Sequence, residues 1–77
     1  MSREARIREA LDVDAWNAPP AERLAAVEEL FAIGQEAMSD EHIAHASTCA
    51  YLIVERLKAH RFMVLNVERR DDLHVGA

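Results

Sequence analysis

His42, His45 and Cys49 fall at i, i+3 and i+7, so on a helix they share one stripe, with Glu41 beside them. Imidazole and thiolate at this spacing are zinc chemistry, and two copies across a two-fold axis would supply enough ligands. The order Glu41-His42-x-x-His45 is not the His-Glu-x-x-His of zinc proteases, which needs a glutamate between the two ligands. Cys49 also sits among alanines, where cysteine acts as a small hydrophobe. The cluster therefore reads as packing, and neither a metal, a cofactor nor an enzyme is expected. The third and weakest reading of the chain, a metal-dependent module, rests on these three residues alone.

A single cysteine excludes an intrachain disulfide. Across a two-fold axis Cys49 could meet its own copy, provided the Cα atoms come within about 7 Å. A reducing cytosol opposes that bond.

Charge is the stronger signal. Between Glu9 and Glu41 there are nine acids and one base, Arg23, giving net −8 within a chain of net −5. Acidic faces keep proteins soluble, which is the plain explanation. Nine to one exceeds that need, and a one-sided field of this sign attracts a basic groove. Glu22 and the pair Asp40–Glu41 are read as helping helix starts. Of the other six, Asp12, Asp14, Glu28, Glu29 and Glu36 are the candidate contacts for a partner with a basic surface. No carboxylate pair is set in an evident pocket, so general acid–base catalysis has no support.

The bases Arg56, Lys58, Arg61, Arg69 and Arg70 are diluted by Glu55, Glu68, Asp71 and Asp72. Binding to duplex DNA rests on a clear excess of positive charge, so this reads as a solvated helix face with no direct nucleic-acid contact. Trp16 is expected to lie over the helices as a hydrophobic lid, with an interface anchor as the alternative.

The elements that must position these residues are helical. Two glycines and two prolines in 77 residues leave little room for a multi-stranded sheet, and Ala, Leu, Glu and Arg favour helix. Ser2 caps a short helix to Leu11, with Ile7, Ala10 and Leu11 inward and Arg3 and Arg6 opposing its dipole, which should fray it. Residues 12–20 form a loop ended by Pro19-Pro20. A second helix over 20–38 turns Leu24, Val27, Leu30/Phe31, Gly34 and Ala37/Met38 inward, with Gly34 marking a close helix crossing. Ser39 is expected to cap a third helix over 39–69, whose inward stripe is Ile43, Ala46, Ala50, Ile53/Val54 and Leu57. The apolar run Phe62–Val67 suits a buried helix end or a strand, and helix is preferred. Residues 70–77 read as a tail.

The fold class expected is all-α: one domain over 1–77, an antiparallel helical hairpin with a short N-terminal helix. A chain this size buries only about 60% of its unfolded surface, so a homodimer is expected, with Cys49, Ile53, Phe62 and Leu65 at its interface. The N-terminus lacks a signal-peptide pattern and no apolar run approaches a membrane span, so no membrane partner and a cytoplasmic location are expected.

In size, acidity and lack of a catalytic motif the chain resembles small phage-encoded inhibitors of host machinery, anti-CRISPR proteins among them. That resemblance implies a non-catalytic inhibitor whose acidic surface competes with nucleic acid for a basic channel of a CRISPR effector complex, in the host cell's cytoplasm. The alternative is a bacterial regulatory hairpin, an anti-activator or chaperone, binding through Phe62–Val67.

Overall fold

The computed structural model describes residues 2–75, with side chains as far as 62. Its elements are α1 (Arg3–Asp12), α2 (Pro20–Ser39) and α3 (Ile43–Val75), and there is no strand among the described residues. All-α is therefore the fold class. Phe62–Val67 is helical, and the expected tail is a correction: α3 continues through Asp71 and Asp72 to Val75.

Local chemistry sets the helix starts. The Ser2 hydroxyl accepts from the Ala5 amide at 3.1 Å, closing the first turn of α1. Pro20 opens α2, where a missing N–H costs nothing.

The start of α3 departs from expectation. Ser39 does not cap it; Ser39 is the last residue of α2, and Asp40 is that helix's C-cap. The His42 amide donates to the Ala37 carbonyl at 2.8 Å and the Glu41 amide to that of Met38 at 3.1 Å. Those two bonds, with Glu41 at φ 57°, form a Schellman motif. His42 then takes the capping role: its Nδ1 accepts from the His45 amide at 3.2 Å. Asp40 and Glu41 thus lie at the end of α2 rather than in the positive first turn of α3.

The packing faces are also rotated from those expected. On α2 the buried residues are Arg23, Ala26, Leu30, Ile33 and Ala37, while Leu24, Phe31 and Met38 are exposed. On α3, Cys49 and Ala59 are buried, with Leu52 and Ile53 packed against the core, while Ile43, Ala50, Val54 and Leu57 are exposed. The cause is α1, which lays Ile7 and Ala10 against Leu30, Ile33 and Cys49 and so draws the core toward its own side. Leu11, expected inward, is exposed.

Gly34 does mark a close approach. A Cβ built there would lie 3.2 Å from the Cys49 Cβ, so α2 and α3 meet at the distance that glycine permits.

Candidate functional site

The acids sort into three environments. Asp14 works within its own loop: Oδ1 accepts from the Trp16 and Asn17 amides at 2.8 and 3.1 Å, and Oδ2 from the Asn17 side chain at 3.0 Å. The Asn17 hydrogen bond, then the backbone ones, hold its carboxyl below the ordinary carboxylate range.

Glu29, Glu36 and Asp40 face the arginines of α1. Arg6 donates to Glu36 Oε2 at 2.7 Å and through Nη2 to Glu29 Oε1 at 3.1 Å. Arg3 pairs with Asp40 and, at 3.4 Å, with Glu36. Hydrogen bonding from Arg6 is the main cause that lowers the Glu36 pKa. The sequence distance hides this arrangement, since the partners stand 23 to 37 positions apart. Arg3 and Arg6 oppose the dipole of α1, yet they hold that helix to α2.

The third group adjoins the second along the α1–α2 seam and shares Arg6 and Glu29 with it. Glu9, Glu22 and Glu29 line one groove of about 340 Å³ with Ala10, Val13 and the aliphatic floor Ala25–Ala26, and Arg6 is its single base. Glu9 and Glu22 are exposed and have no ion-pair partner among the described residues; the same holds for Asp12 and Glu28. Of the five acids proposed from sequence as partner contacts, the structure leaves Asp12 and Glu28 unpaired and engages Asp14, Glu29 and Glu36 within the chain. Sequence reasoning did not gather Glu9 with Glu22. Their meeting depends on α1 folding back along α2, which no local spacing records.

Arg56 is a second correction. It is not a solvated surface base: Nη1 donates to the Val13 carbonyl at 2.7 Å and Nη2 to that of Leu11 at 3.2 Å. Trp16 is half-exposed, its ring meeting Phe62 edge-on at 5.9 Å and 78°. These aromatics, with Leu11, Leu52 and Ala59, line a cleft of about 420 Å³ rimmed by Glu55, Arg56 and Lys58.

The metal-like residues separate. His42 and His45 stack at 3.8 Å, but Cys49 is fully buried against Gly34, and burial pushes its thiol pKa up. No group of three His, Cys, Asp or Glu side chains converges among the described residues. As to the expected dimer contacts, Cys49 is enclosed by its own chain, Ile53 is half-buried, Phe62 meets Trp16, and Leu65 lies outside the described side chains. Among the described residues no helix is long and apolar enough to cross a membrane.

No family model, curated protein or solved structure matches this chain.

Proposed function

We propose that the protein is a non-catalytic inhibitor or modulator that binds a larger protein through its acidic α1–α2 groove. The observation that carries this reading is the gathering of Glu9, Glu22 and Glu29 around one groove against a single base, Arg6. A partner guanidinium or ammonium entering there would meet carboxylates while its aliphatic stem lies on Ala25 and Ala26. In the resemblance to anti-CRISPR proteins, such a partner is a nucleic-acid channel of a CRISPR effector complex. The scaffold is then an antiparallel α2–α3 hairpin that supports α1 from behind.

The test uses effector-complex subunits, free and loaded with nucleic acid. Binding to the free form should weaken as salt rises and be lost in a Glu9→Lys, Glu22→Lys double variant. Binding that is insensitive to both salt and charge reversal sinks the reading. The Trp16–Phe62 cleft favours the regulatory-hairpin alternative. There, Phe62→Ala abolishes binding to a transcription-factor or secretion partner and charge reversal leaves it intact.

A further inference from the structure

The face of α2–α3 turned away from α1 bears an apolar row with no cover from the described chain. Leu24, Phe31 and Met38 project from α2 at 40, 56 and 70% exposure; Ile43, Val54 and Leu57 project from α3 at 77, 49 and 44%. They fall at i, i+7 and i+14 on α2 and along one side of α3. Between the helices runs an almost wholly apolar groove of about 140 Å³, lined by Phe31, Gly34, Met38, Ala46, Ala50 and Ile53 among others. The Cα atoms occupy 55 × 19 × 13 Å, the thickness of two packed helix layers, since the Cα cylinder of one helix is about 4.6 Å across, and no third layer of the described residues lies over this row.

We infer that a second copy of this chain covers the row, forming a two-fold dimer of the α2–α3 faces. Two observations select that occupant. The first is area. Six side chains of this size and exposure present on the order of 500 Å² of apolar surface. A standard interface takes about 800 Å² from each partner, and about 65% of a homodimer interface is apolar, which is the same quantity. The second is charge. Ionised groups stand within the row: Glu28 between Leu24 and Phe31 on α2, Arg61 one turn beyond Leu57 on α3, and Glu41 between Met38 and Ile43. Glu28 and Arg61 are exposed and without an ion-pair partner among the described residues. A two-fold face must be complementary to itself. Setting the α2 edge of one copy over the α3 edge of the other brings these opposite charges together twice. The acidic groove lies on the α1 side, so the dimer presents it twice, facing outward.

Sedimentation equilibrium on the purified chain tests this. The expected mass is that of two chains, falling to one in Phe31→Glu and in Val54→Glu while the helical circular dichroism is retained. Each substitution acts at two places by symmetry, so the dissociation constant should rise at least about a hundredfold. Glu28→Arg and Arg61→Glu should each weaken dimerisation roughly three- to tenfold, and the double reversal should restore it. A wild-type mass of one chain across concentration overturns the inference and assigns the row to a different apolar protein. A two-chain mass unmoved by Phe31→Glu and Val54→Glu overturns it as well. Glu9→Lys and Glu22→Lys leave the mass unchanged, so failure of the dimer and failure of the groove are read separately.

Discussion

Arg56 Nη1 donates to the carbonyl of Val13 at 2.7 Å, joining the middle of α3 to the C-cap of a helix 43 residues earlier. The last turn of α1 contains no base, and Asp12 at its end is the wrong sign for the dipole. Arg56 supplies from another helix the positive charge that α1 lacks. Arg56→Leu keeps most of the aliphatic contact and removes the donors. One part-buried and one exposed hydrogen bond from a charged group go with it, and stability should fall by about 1.5–3 kcal/mol. Urea unfolding followed by Trp16 fluorescence measures this, because the same loop carries the indole. An unchanged midpoint would show that water replaces the guanidinium at no cost.

Glu36 and Asp14 make stability depend on acid pH. Both carboxyls titrate lower in the folded chain than their ordinary values of 4.5 and 3.8, Glu36 chiefly through Arg6 and Asp14 chiefly through Asn17. The unfolded chain therefore binds protons first. The stabilisation is complete above the ordinary values and is lost as pH falls through the depressed ones. Thermal midpoints should drop across that window, with the α1–α2 seam weakened as Arg6 loses Glu36. Glu36→Gln should flatten the drop and lower the neutral-pH midpoint slightly, both groups being exposed. A wild-type curve and a Glu36→Gln curve of equal slope would remove Arg6–Glu36 from the account.

Cys49 carries a second measurable consequence. Its thiol is fully buried, faces Gly34 and has a raised pKa. Alkylation by iodoacetamide should be slow in the native protein and should rise with denaturant in step with unfolding. No intermolecular disulfide should form in the folded state, since the sulfur must first leave the core. Rapid labelling in native buffer would contradict the α2–α3 crossing.

The helices were legible because their signals are local: Ser2 before a charged turn, Pro19-Pro20 before a helical period, and Gly34 within it. Their faces were less so. The apolar stripe on α2 is wider than one packing surface, running from Ile33 and Leu30 round to Phe31 and Leu24, and periodicity alone does not say which edge the core takes. The placement of α1 decides it, through Ile7, Ala10, Arg3 and Arg6. Those contacts join residues 20 or more positions apart, and single-sequence spacing is blind to them. Ser39-Asp40-Glu41 matched a helix start in composition, but the chain uses it to end α2, with a glutamate where such turns usually hold glycine.

That glutamate is the clearest place to improve the fold. Glu41 has φ 57°, the left-handed region, where an L side chain crowds its own backbone by about 1–2 kcal/mol. Glycine has no such penalty, although it loses about 0.5–1 kcal/mol more backbone entropy on folding. The balance favours Glu41→Gly by about 0.5–1 kcal/mol, or roughly 4 °C in thermal midpoint for a domain of this size. Glu41→Gln separates the two explanations, because it removes the charge and keeps the Cβ. If backbone strain is the cause, the glutamine variant melts with the wild type and only glycine gains. If both variants gain equally, the benefit comes from removing a negative charge near the C-terminal end of α2, and the turn at Glu41 is not strained.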